Sequence, residues 1–165
     1  MAEITRKELL LALISAGEHP RLSGLDLSGL DLEQIDLHGV DLRGADLSGC
    51  HLHRANLRGA LLERANLTEA DLSHADLGKL HANHALLYKA CLDESILDGA
   101  DLQHALLKGA SFRRARLHET DLRHAHLEGA CLVEAELRGS NFSSAVWDGA
   151  DFQKAVLVHC INGPR

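Results

Sequence analysis

Aromatic rings are almost missing from this 165-residue sequence, which holds three Phe, one Tyr and one Trp. Ordinary cores lean on aromatic side chains for much of their buried area. A core here must instead be built from small aliphatic groups used many times over. An excess of basic residues is missing too: the net charge is −7 with His neutral, which argues against direct binding of nucleic acid. The twelve histidines qualify that sign, because full protonation would take the chain to +5. No apolar run reaches the length of a membrane span, so no membrane partner is expected. The segment from Leu9 to Ala16 follows Arg6 and Lys7 like a signal-peptide core, but Glu3 and Glu8 oppose that reading. The four cysteines (Cys50, Cys91, Cys131 and Cys160) lack the close pairing of a zinc or redox motif. They read as reduced thiols of a cytoplasmic protein.

What the sequence does hold is a period of five. With Leu27 as a centre, 27 consecutive centres run to Leu157 without insertion. The centre is Leu except at Ala82, Phe112, Phe142, Trp147 and Phe152. Two positions before each centre stands Ala or another small or aliphatic residue, with Ser95, Thr120 and Ser140 the most polar occupants. One position before it stands Asp or Asn in many repeats. An α-helix turns ~100° per residue, so a five-residue step builds no apolar stripe. In a straight strand the odd step sends successive centres to opposite faces. Within one repeat, however, the centre and the residue two before it share a face, as in extended chain. A short extended piece followed by a corner satisfies the pattern.

The corner is expected at the two residues after each centre. Of the eleven glycines between 25 and 159, ten are the second of these and Gly78 is the first. Nine of the ten fall in alternate repeats, which reads as two alternating kinds of corner. An even number of sides keeps that alternation in register, and four sides, twenty residues per coil, is the simplest solution. Glu94, Arg114, Glu134 and Lys154 recur at twenty-residue intervals and would form a charge-alternating column.

The runs ADLSG at 45–49, ANLRG at 55–59, ADLSH at 70–74 and ADLQH at 100–104 resemble the motif of the pentapeptide-repeat family. The resemblance covers about four-fifths of the chain. It implies an all-β fold, a right-handed quadrilateral parallel β-solenoid of about seven coils of 20 residues, with Leu or Phe and Ala packed inside. The expected organisation is a capping helix and lead-in over 1–24, the solenoid over 25–159 and a tail over 160–165. Thr5 and Glu8 have capping-box spacing, and Leu9, Leu10, Leu13 and Ile14 follow before Gly17, so a helix over 6–16 is predicted above the first coil. The larger Leu25, Leu30, Ile35 and Val40 belong to that coil. At the far end Phe142, Trp147 and Phe152 either close the core or form a homodimer interface.

No nucleophile elbow, phosphate loop or metal-ligand pattern is present, so neither an enzyme nor a cofactor is expected. The recurrent Asp is explained by the motif. His84, His104 and His124 fall in one column and read as a solvated imidazole ladder, with metal binding the lesser alternative. Leu86, Tyr88, Leu106 and Val146 are apolar at outward positions and form a candidate docking patch. The leading expectation is a non-catalytic module that binds a protein partner. The resemblance also implies an alternative: the family's quinolone-resistance members are similar to B-DNA in shape and charge and bind DNA gyrase or topoisomerase IV in its place. About 32 Å of stacked coils would permit that. The modest net charge, and Arg113, Arg114 and Arg116 on the surface, weaken it.

Overall fold

The computed structural model of the chain describes residues 4–16 and 20–164. One α-helix, α1 (Arg6–Ala16), precedes an array of parallel bridges. Every bridge joins residues twenty apart, from Arg21↔Asp41 to Asn141↔Ile161. The bridges form four ladders. The first runs through Arg21, Asp41, Leu61 and His81 to Ile161, the second from Asp26 to Val146, the third from Asp31 to Asp151 and the fourth from Asp36 to Val156. The array begins with Leu22 as a buried centre and ends at Ile161, so it is longer at both ends than the 25–159 read from the motif.

The backbone explains why five residues make one unit. Around Leu47, its N–H donates to Asn66 O at 2.7 Å and that of Gly49 to Thr68 O at 2.9 Å, both in the next coil. The N–H of His51 donates to Leu30 O at 3.0 Å in the coil before, and Cys50 N–H closes the corner onto Leu47 O at 3.2 Å. That closing bond, with a positive φ at the second corner residue only, is the arrangement of a type II turn.

All second corner residues from Gly24 to His159 share this conformation, with φ between 53° and 73°. The alternation of glycines therefore does not mark two kinds of corner, and the sequence-based expectation is corrected on this point. Arg, Lys, His and Glu take the left-handed turn as well, at a cost of about 1 kcal/mol or more each. Arg54, exposed and at φ 57°, tests this. Arg54→Gly is expected to raise stability by about 0.5–1 kcal/mol in a denaturant titration; a loss would show that the corner carries no strain.

The core is a single column of Leu centres and Ala residues from Leu22 to Phe142, nearly all fully enclosed. The polar residues among them are satisfied: Ser95 Oγ donates to Leu92 O at 2.6 Å, and Thr120 Oγ1 donates to Leu97 O at 3.0 Å. The Cys50 thiol donates to Leu27 O at 3.0 Å, and burial pushes its pKa up to about 11. It is a packed, unreactive group.

Helix α1 starts at a reciprocal cap. Thr5 N–H donates to Glu8 Oε2 at 2.7 Å and Glu8 N–H donates to Thr5 Oγ1 at 3.3 Å. Leu9 is fully buried and Leu13 packs against the core, together with Leu25 and Leu30, whereas Leu10 lies outward. The side chain of Ile14, and Gly17, lie outside the described residues. Arg6 donates to Asp31 O at 2.8 Å and to Glu33 O at 2.9 Å. In the interior such carbonyls accept amides from the preceding coil, so the guanidinium stands in for a missing coil.

Candidate functional site

Four of the five amides in a repeat are bonded by backbone, and the fifth, on the first corner residue, is left over. The Asp or Asn before the centre supplies its acceptor. Ser28 N–H donates to Asp26 Oδ1 at 2.9 Å, Ser48 N–H to Asp46 Oδ1 at 2.9 Å and Thr68 N–H to Asn66 Oδ1 at 3.1 Å. The recurrent carboxylate is thus a turn cap. The Ser28 hydroxyl and amide hold Asp26 below the usual carboxylate range, and the Arg43 side chain does so for Asp41. Where the repeat lacks Asp, a neighbouring coil can provide it: Asp93 Oδ1 accepts Arg113 N–H at 3.0 Å and Asp98 Oδ1 accepts His118 N–H at 3.1 Å.

The second ladder changes character half-way. Its first three rungs are Asp26, Asp46 and Asn66, and the next four are Leu86, Leu106, His126 and Val146. Leu86 and Leu106 are neighbouring rungs, both half-buried, and Tyr88 is half-buried on the first of them. Val146 is exposed at 37% but stands beyond His126. The structure therefore brings together three of the four patch residues and sets the fourth apart. Along these rungs the corner amides of Tyr88 and Lys108 have no acceptor among the described residues.

His84, His104 and His124 line the corner just before these rungs. Their rings stack nearly parallel, with centroids 4.7 and 4.6 Å apart. Burial, then the neighbouring His124 and His84, hold the His104 imidazole below its ordinary value of 6.5. The folded chain thus prefers this ring neutral. Its contribution is neutral at higher pH and becomes destabilising as pH falls through the ordinary value, where the unfolded chain takes up the proton first. His104→Gln is expected to lose less stability than the parent between about pH 7.5 and about pH 5; equal slopes in denaturant titrations would clear the ladder of that role. Among the described residues no three His, Cys, Asp or Glu side chains are placed to hold a metal ion.

On the third ladder the charge column forms as the spacing suggests. Arg114 Nε donates to Glu134 Oε2 at 2.8 Å, and Lys154 Nζ lies 3.4 Å from Glu134 Oε1. The column continues downward, with His74 Nδ1 3.4 Å from Glu94 Oε2. An open depression of about 270 Å³ lies between Asp93, Glu94, Arg113, Arg114, Val133 and Glu134. Arg114 and Glu134 answer one another there, and Asp93 accepts the Arg113 amide.

At the far end the centres are less enclosed than in the body of the tube. Phe142 is fully buried, with Trp147 and Phe152 packed edge-on at 5.8 and 6.3 Å. Those two rings, like Leu157, are only half-buried, and Val158 and Ile161 are exposed at 44% and 52%. Asn162 (φ 47°) ends the array, and Gly163 lies against the Phe142 ring. The apolar Val158 and Ile161, at outward positions of the last rungs, were visible in the sequence but fell outside the candidate patch.

The profile of pentapeptide repeats matches at residues 21–54, 45–79, 95–132 and 130–161. The chain belongs to the pentapeptide-repeat family. No curated protein matches it in sequence. Among solved structures, this pentapeptide-repeat protein is similar to QnrB1, a plasmid-mediated fluoroquinolone resistance protein, with a TM-score of 0.79 at 21% identity over 87% of this chain and 74% of that one. That likeness establishes the repeat β-solenoid fold. HetL, a pentapeptide-repeat protein involved in heterocyst differentiation regulation in the cyanobacterium Nostoc sp. strain PCC 7120, is 29% identical over 94% of this chain and 95% of its own, with a TM-score of 0.43. Rfr23 from the cyanobacterium Cyanothece 51142 is 22% identical over 92% and 99%, with a TM-score of 0.40. No helix among the described residues is long and apolar enough to cross a membrane.

Proposed function

We propose that this chain is a non-catalytic, cytoplasmic interaction module: a right-handed quadrilateral solenoid of about seven coils that offers a flat side to a protein partner. Four ladders with twenty-residue register support the architecture. The observation that carries the function is the switch on the second ladder from Asp and Asn rungs to Leu86 and Leu106, flanked by Tyr88. Apolar side chains replace self-capping ones there on two successive rungs. Val146 belongs to the same column, past His126. Affinity capture from lysate with the parent and with Leu86→Glu/Leu106→Glu tests the reading. Partners held by the parent should be lost by the variant; partners held equally by both would remove the patch as the site.

The half-burial of Trp147 and Phe152 in the last coil supports a homodimer, in which a second copy would cover these rings. Sedimentation of Trp147→Asp against the parent reads this directly. The fold shared with QnrB1 favours a second reading, a DNA-mimicking binder of DNA gyrase or topoisomerase IV. Supercoiling by purified gyrase, with and without a quinolone, should change at stoichiometric amounts of this protein on that reading, and stay unchanged at large excess on the first.

A further inference from the structure

We propose that the last coil takes an extended segment of a partner protein, added as a parallel strand on the side of Trp147. This site is separate from the Leu86–Leu106 strip and lies at the end of the tube. Every centre amide from Leu22 to Phe142, and every second-corner amide from Gly24 to Gly139, donates to a carbonyl of the next coil. The amides of Trp147 and Gly149 and the carbonyl of Ala145 have no backbone partner among the described residues. An edge with unpaired backbone groups is a template for a strand of another chain. The molecule shows what fits, one coil earlier. Val146 N–H donates to Ala125 O at 2.9 Å, Val146 O accepts Leu127 N–H at 2.7 Å, and Asp148 O accepts Gly129 N–H at 2.9 Å. A partner residue above Val146 would make the same two bonds with Ala145 O and Trp147 N–H. The residue two further on would accept the Gly149 amide.

Side chains alternate along such a segment. The residue between those two faces inward onto the half-buried Trp147 ring, which stands edge-on to the enclosed Phe142. An aliphatic side chain there would complete the enclosure that the earlier centres have. The outward neighbours are Val146 and Asp148, both exposed. Cross-strand pairing favours an aliphatic residue above the first and a basic one above the second. A small residue fits above Ala145. The occupant is thus of the type Ala-Val-Leu-Lys. The Gly149 corner leaves the approach clear, since nothing lies within 4 Å of where a Cβ would stand. The third and fourth sides end instead on Lys154 and His159. A second copy matches this edge less well. Each side presents the N–H groups of the centre and second corner against one C=O, so two such ends would meet with an excess of donors.

The test titrates the capped peptide Gly-Ala-Val-Leu-Lys-Gly into the isotope-labelled full chain, up to about 1 mM. Trp147 is the only tryptophan, so its emission reports the site directly. That emission should move to shorter wavelength, and the amide NMR shifts should centre on Trp147 and Gly149. A peptide N-methylated at Val keeps every side chain but cannot donate to Ala145 O, and it should bind at least about tenfold more weakly. Replacing its Leu by Asp, or its Lys by Glu, should weaken binding as well. The Leu86→Glu/Leu106→Glu variant should bind the peptide as the parent does, so this result and the lysate comparison stand or fall separately. No shift at the highest concentration, equal binding of the N-methylated peptide, or shifts confined to other coils would overturn the inference. Equal binding of the Glu peptide would overturn its basic position. A parent that sediments as a dimer and shows no peptide shift would give this end to a second copy instead.

Discussion

Phe112→Ala is expected to destabilise the protein by about 3–5 kcal/mol, among the largest effects of any single truncation. Phe112 is fully enclosed mid-column, and its amide is tied to Cys131 O at 2.7 Å in the next coil. The surrounding leucines sit on backbone fixed by bonds above and below, so the void left by the ring collapses poorly. A solenoid also makes each coil depend only on its neighbours. The cavity should therefore weaken cooperation between the two halves, and amides on its two sides should exchange with different protection. A guanidinium titration checks the magnitude. A loss under about 1 kcal/mol would mean that the core relaxes freely, contrary to the packing described.

The second large effect concerns register. Deleting Lys108 alone shifts all later residues by one place, turning the inward Ala and Leu positions of the downstream coils toward water. That variant should lose the folded far half and its soluble expression. Deleting residues 91–110 removes twenty times as much chain yet joins Ala90 directly to Ser111, with each later residue still in its own ladder. It should stay soluble and cooperatively folded, with stability reduced by one coil. Circular dichroism and gel filtration of the two variants decide the matter. If the single deletion folded as well as the long one, the inward pairing of centre and preceding small residue would not be what holds the tube together.

Much of this was legible because the pattern is repetitive. Helix α1 follows from its capping box and apolar spacing, and the twenty-residue step, the stacking of His84, His104 and His124 and the Arg114–Glu134 pairing follow from position within the period. The glycine alternation misled because glycine tolerates the left-handed turn but is not required for it: Arg54, Glu69 and Lys89 adopt it too. The start at Arg21 was hidden because Pro20-Arg21-Leu22-Ser23-Gly24 keeps only the leucine and the glycine of the motif. The role of Asp could not be read, since it depends on which amide remains after three coils have bonded. Outwardness of Leu86 and Leu106 was readable, but their half-burial depends on neighbouring rungs.

The two ends of the tube are chemically unlike. At the head, Arg6 occupies the carbonyls of Asp31 and Glu33. At the tail, the amides of Trp147, Phe152 and Leu157 find no backbone acceptor among the described residues. Endless head-to-tail growth into a fibre needs one molecule's free donors to meet the next one's free acceptors. With Arg6 on two of the head's acceptors, that polymerisation is hindered by a single arginine. Its removal should expose the protein to filament formation.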